Sequence, residues 1–181
     1  MAEFVKVPPV KLLVAALYVE TEKLQTAQRL LQQEFGPIDF TSASYPFVAA
    51  HYYAPEMGEP IHRILFSFEN LIDAADLAQI KHATNEIEKA TAFAGKRTVN
   101  LDSGYVDFDK LVLASMKKGA QKIYVGDGIW ADMCLMYSKG SFKSFTWTFP
   151  DFAGEMYDKP LLRIRELYKA QWRTISRSKK N

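Results

Sequence analysis

Apolar positions recur along the chain at two spacings, one suited to strands and one to helices, and the changes between them mark out the elements. Residues 11–19 form a nearly unbroken apolar run that predicts a buried strand. Leu24, Ala27, Leu31 and Phe35 then follow at helical spacing across residues 21–35, and Gly36-Pro37 closes that helix. Residues 38–43 predict a second strand. A loop carrying Pro46, Pro55, Gly58 and Pro60 leads to a third at residues 61–68. Asp73 reads as the N-cap of a helix whose apolar stripe is Leu77, Ile80, Thr84, Ile87 and Thr91, running up to Gly95. Residues 99–101 predict a short strand, and Asp107 reads as the cap of a helix over residues 108–118 ended by Gly119. Strands at 122–125, 129–137 and 142–147, joined at Gly126-Asp-Gly128 and Lys139-Gly140, predict an antiparallel meander. Pro160 opens a final helix with Leu161, Ile164, Tyr168, Trp172 and Ile175 on one face.

The first 101 residues run strand, helix, strand, strand, helix, strand, the order of a ferredoxin-like βαββαβ unit. The fold class expected is therefore α+β: a mixed, mostly antiparallel sheet with helices on one or both faces, extended by a C-terminal β-meander and helix. No repeat, linker or low-complexity tract divides the chain, so residues 1–181 read as one domain with a frayed tail at 177–181.

Composition narrows the classes. With 48% hydrophobic and 24% charged residues the chain has the make-up of a globular domain that can bury a sizeable core. Its single cysteine, Cys134, lies in an apolar run, which excludes a disulfide framework and a cysteine-based metal site and suggests a reducing, cytoplasmic setting. No signal pattern or membrane-spanning stretch is expected. The net charge is only +2, but from Pro160 onward seven basic residues face one acid, so the tail carries +6 and the remainder −4. Arg165, Lys169, Arg173 and Arg177 recur every four residues there. The ladder reads either as a solvated face or as a surface for RNA or a protein partner.

Motifs that fix a chemistry are missing. Gly95-Lys-Arg-Thr98 approaches a P-loop but lacks its first glycine, its Ser/Thr after the lysine and its strand-to-helix setting. Asp151-Phe-Ala-Gly154 matches a four-residue GTPase pattern without the base-reading motif that accompanies it. No Gly-x-Ser-x-Gly elbow occurs, and the three histidines have no metal-ligand spacing.

The carboxylates carry more weight. Asp132 lies mid-strand on an apolar face, where a carboxylate must be paired, solvated or functional. Asp102-Ser-Gly104 and Asp127-Gly128 read as turn chemistry, or as oxygen donors beside glycines that admit a substrate. Asp102 and Asp132 are the candidate acid/base residues and Mg²⁺ ligands, with Glu88 a third candidate catalytic acid. Lys81, Asn85 and Glu88 form a polar ladder on one helix, either a solvated shoulder or one wall of a cleft. Tyr52, Tyr53, Glu56, His62 and Arg63 read as a packed aromatic loop or as a lid with Arg63 as anion clamp. Lys110, in the first turn of its expected helix, is placed to meet a phosphate, and Lys117, near that helix's C-terminus, is not.

Several strings then carry a family resemblance: Asn100-Leu-Asp-Ser-Gly-Tyr105, Lys110-Leu-Val-Leu-Ala-Ser115, Ile123-Tyr-Val-Gly-Asp-Gly-Ile129 and Trp147-Thr-Phe-Pro-Asp151. With Tyr52-Tyr-Ala-Pro-Glu-Met-Gly58 and Thr84-Asn-Glu-Ile-Glu88, they resemble the bacterial family DUF4416 from Lys11 to about Tyr168. That family has no established function, although its members are often labelled GTP-binding. Ser103 replaces a proline of its pattern, and Trp130, Phe149 and Phe152 replace tyrosines.

The reading that results is a small-molecule-binding protein or enzyme for an anionic ligand, such as a nucleotide or phosphorylated metabolite. Its site would comprise Tyr52, Glu56, Arg63, Asn85, Glu88, Asn100, Asp102, Tyr105, Lys110 and Asp132. The rival is a non-catalytic protein that docks RNA or a protein partner through the basic helix. The first reading requires Asp132 and the polar strings to converge on one face.

Overall fold

The computed structural model describes residues 7–47 and 52–178; the frayed tail expected at 177–181 falls mostly outside them. The elements, in chain order, are β1 (Val10–Tyr18), α1 (Thr21–Phe35), β2 (Ile38–Thr41), β3 (Tyr45–Pro46), α2 (Ala54–Met57), β4 (His62–Ile72), α3 (Leu77–Thr91), β5 (Val99–Val106), β6 (Lys110–Ser115), β7 (Ile123–Gly126), β8 (Ile129–Ser138), β9 (Ser141–Ser144), α4 (Pro150–Ala153) and α5 (Asp158–Ser178). Strand β1 and helix α1 follow the expected pattern. Asp73 caps a 3₁₀ turn, Ala74–Asp76, that runs into α3 rather than capping α3 itself.

The expected helix at 108–118 is a strand. Asp107 Oδ1 accepts hydrogen bonds from the Asp109 and Lys110 amides, which closes a β5–β6 hairpin and does not start a helix. The Asp102-Ser-Gly104 string is likewise no turn but the middle of β5. A Cβ on Gly104 would lie 2.1 Å from the Val112 carbonyl oxygen, so the glycine serves the close approach of β6.

Among the described residues one sheet of nine strands runs in the order β2-β4-β1-β5-β6-β8-β7, with β3 against β4 and β9 against β8, and every pairing is antiparallel. The first four places of that order are those of a ferredoxin-like unit, and β7 and β9 pair with opposite ends of β8 along the edge away from β6, two consecutive antiparallel hairpins rather than three strands side by side. Helices cover both faces. Leu12, Val14, Ala16 and Tyr18 of β1 pack with Leu24, Ala27 and Leu31 of α1 and Ile80 and Ile87 of α3. The alternate residues Leu13 and Ala15 face Phe152 of α4 and Leu161 and Ile164 of α5. Burial on two faces explains why β1 reads as an unbroken apolar run.

The β5–β6 pairing is short. It joins Gly104–Val106 to Leu111–Leu113 only, while β5 continues along β1 to Val99. The outer edge of β5 from Val99 to Ser103 therefore faces no strand among the described residues, and the sheet parts there. Two side chains of α3 take the place of the missing strand: Lys81 Nζ donates to the Leu101 carbonyl at 2.9 Å, and the Leu101 amide donates to Glu88 Oε1 at 2.6 Å.

Candidate functional site

A cavity of about 860 Å³ opens where β5 and β6 separate. Its walls come from α3, the parted strands, β8, residues 52–56, and the segment entering α4. Of the candidate residues, Tyr52, Glu56, Arg63, Asn85, Glu88, Asn100, Asp102 and Asp132 all line it. The polar ladder on α3 is thus a cleft wall: Lys81 is only 7% exposed, and Asn85 Nδ2 donates to Met116 Sδ across the gap at 3.0 Å.

Two candidates do not join them. Tyr105 packs in the small cluster of Leu77, Ala78, Val112, Ala114 and Ile129, on the opposite side of the strand from Asp102. Lys110 lies at the hairpin end of β6, ion-paired to Asp107. Its expected phosphate role depended on a helix that the chain does not form. Nor does Asp127-Gly128 reach the wall; it is the β7–β8 turn, whose Asp127 carbonyl meets His82 Nε2 at 2.9 Å. His62 turns aside to pack on Tyr18.

The charged groups form three linked sets. Arg63 Nη1 donates to Asp102 Oδ2 at 2.8 Å and to the Ala15 carbonyl at 3.2 Å, while its Nη2 lies 2.9 Å from Asp151 Oδ2, an ion pair poorly aligned for a hydrogen bond. Its guanidinium stacks between Phe47 and Phe152. Arg63 is therefore a clamp on two carboxylates of the protein, not a cation left for a ligand. Arg97 donates to Glu56 and Asn100, each at 2.7 Å, and lies 3.5 Å from Glu88 Oε2. Lys122 Nζ lies 3.3 Å from Asp132 Oδ2 and donates to Ser115 Oγ at 2.8 Å.

These surroundings drive the carboxyls apart. Burial opposes ionisation of Asp102, but Arg63 and Lys81, with a 2.9 Å hydrogen bond from Asn100, override it and hold the group below its ordinary value. For Glu88 burial wins over Lys81, the Leu101 amide and Arg97, and the carboxyl is pushed up. Burial also raises Asp151 in spite of Arg63. At the mouth, a 2.6 Å hydrogen bond from Lys117 Nζ pulls the Tyr52 phenol down.

Among the described residues no three His, Cys, Asp or Glu side chains gather as a metal site. Both Asp102 oxygens are engaged by Arg63 and Asn100, and Asp132 shares one with Lys122. A divalent ion at these two would have to displace cations already in place.

Lys117, Lys122, Arg97, Asp151 and Phe149 line the site as well but were not read as site residues from the sequence. Arg97 and Asp151 stand in the two strings that resemble nucleotide motifs, for reasons unrelated to those motifs. The helix-dipole objection to Lys117 falls because β6 is a strand. Cys134 is buried, and burial pushes its thiol up, as suits a packing residue.

The basic ladder on the last helix is shorter than its spacing suggests. Arg165 is buried, donating from Nε to the Phe108 carbonyl at 2.8 Å with its guanidinium 3.5 Å from the Tyr137 ring centre. Lys169 pairs with Glu166 at 2.8 Å, which leaves Arg173 and Arg177 as the exposed steps.

A family model described as Domain of unknown function (DUF4416) matches residues 8–168. The chain belongs to the DUF4416 family. The matched span holds every DUF4416 residue named around the cavity and stops within α5, before Arg173. Searches of curated proteins and of solved structures returned no match. No helix among the described residues is long and apolar enough to cross a membrane.

Proposed function

We propose that the crevice between β5 and β6 binds a small anionic molecule of the nucleotide or phosphorylated-metabolite class. The observation that carries this reading is how the wall charges are distributed. Six acids and six Lys or Arg line the cavity, so net charge selects nothing. Each acid has a cation within 4.0 Å, but Arg63 and Arg97 each serve two. Lys81 and Lys117 are left with no carboxylate that close among the described residues, and both line the cavity. An anionic group on a ligand would give these two ammoniums a direct partner of opposite charge. The volume suits the class, since small-molecule sites run from about 300 to 1,000 Å³. A magnesium ion would enter with the phosphates, because no dedicated carboxylate cage awaits it among the described residues.

The alternative, docking of RNA or a protein through α5, retains only Arg173 and Arg177 of its ladder and draws support from no other feature. Thermal-shift titration of the full chain with tripolyphosphate and the common nucleotides, with and without Mg²⁺, tests the proposal. A ligand that binds only the native state raises its stability, by about 2.7 kcal/mol at a hundred times Kd. A saturable rise that Lys117→Met weakens is the expected result; no shift with any anion at millimolar concentration overturns it.

A further inference from the structure

We infer that the Asp132–Phe149 corner of this cavity reads the base of a nucleotide, so that the ligand is a phosphorylated compound bearing a heterocycle with an N–H donor. The inference rests on the anion-binding reading and adds the other end of the ligand.

Asp132 is 2% exposed and lines the cavity, and its Oδ1 has no hydrogen-bond partner among the described residues. A buried carboxylate oxygen left bare is costly. Its other oxygen faces the Lys122 ammonium at 3.3 Å, so the wall presents an acceptor and a donor side by side. Nucleobase edges present the complementary pair, an N–H next to a carbonyl or ring nitrogen. A simple phosphorylated sugar has hydroxyls but no such planar edge.

The second observation is the ring beside that pair. Phe149 lines the cavity, is 47% exposed, and has its ring centre 5.7 Å from Lys122 Nζ. A partly exposed aromatic ring at the wall of a cavity is a stacking platform, and every base has a π-face to offer it. Lys117 and Lys81, which have no carboxylate within 4.0 Å among the described residues, supply the phosphate end. Stacking by Phe149, edge contact by Asp132 and Lys122, and charge on Lys81 and Lys117 give each of these five side chains a part of one ligand to meet.

The test compares ligands that share the phosphates and differ in the base. Thermal-shift titrations of the full chain with tripolyphosphate and with ATP, GTP, CTP and UTP are run on the native protein and on Phe149→Ala, Asp132→Asn and Lys117→Met. At least one nucleotide should bind more tightly than tripolyphosphate. Phe149→Ala should remove that excess, weakening the nucleotide at least about fivefold and leaving tripolyphosphate unchanged. Lys117→Met should weaken both. Because Asp132→Asn unpairs a buried lysine and endangers folding, the deciding variant is Phe149→Ala, at a partly exposed position. Nucleotides that bind no better than tripolyphosphate, or an excess that survives Phe149→Ala, overturn base reading while leaving anion binding intact. Silence from every ligand overturns both.

Discussion

Asp102 shows how one side chain is tuned by its neighbours. Its carboxyl is held below its ordinary value, so the folded chain binds fewer protons there than the unfolded chain. The resulting stability is present above the unfolded value, about 3.9, and is lost as pH falls through the folded one. Glu88 and Asp151 are shifted up and act in the opposite sense: their contribution is present at low pH and lost as pH rises through their folded values. Asp102→Asn should cost about 2–4 kcal/mol at neutral pH, below the top of the range for a broken buried pair because Asp102 keeps some solvent contact and Arg63 keeps Asp151. The gap between variant and native protein should narrow as pH is lowered below 4, as measured by urea denaturation at each pH. A gap that widens in acid would mean that the carboxylate is not the stabilising form.

Among the elements, β6 and α5 separate what a pattern can say from what it cannot. Leu111 to Ala114 is buried on both sides of the sheet, and a short, wholly apolar run has no period to distinguish a strand from a helix. Asp107 adds to the ambiguity, because an Asp that accepts from amides two and three residues ahead serves an N-cap and a hairpin turn alike. Gly104 is needed for space, not for an unusual backbone angle. Gly104→Ala forces its methyl against the Val112 carbonyl and should destabilise by about 1–3 kcal/mol or more, seen as a lowered urea midpoint. On α5 the four-residue spacing is visible in the sequence, but that Arg165 docks while Arg173 does not depends on where Phe108 and Tyr137 lie. Arg165→Lys should lose the stacking and the aligned Nε bond, costing about 1–2 kcal/mol, whereas Arg173→Ala should leave thermal stability within about 0.5 kcal/mol of native.

For the molecule as a whole, the cavity exists because one strand pair stops short, so its lining residues should divide into two groups. Lys117→Met and Phe149→Ala remove partly or fully exposed groups and should leave the ligand-free melting temperature nearly unchanged. Lys81→Met removes the cap on the free edge of β5 and should lower it even without ligand. By itself the sequence determined the α+β class, the burial of β1, the stripes of α1 and α3, the consecutive antiparallel strands after residue 122 and most of the polar residues that prove to share one wall. These are local properties: side-chain periodicity, turn chemistry, and the cost of a bare carboxylate in an apolar strand. The tertiary structure alone decided that β5 and β6 part, that Arg63 and Arg97 are engaged by the protein's own acids, and that Lys81, Lys117 and Asp132 Oδ1 have no such direct partner among the described residues. Whether a charge is satisfied depends on residues far away in the chain, as Arg63 on Asp102 and Asp151 or Lys117 on Tyr52, and no local pattern contains that distance.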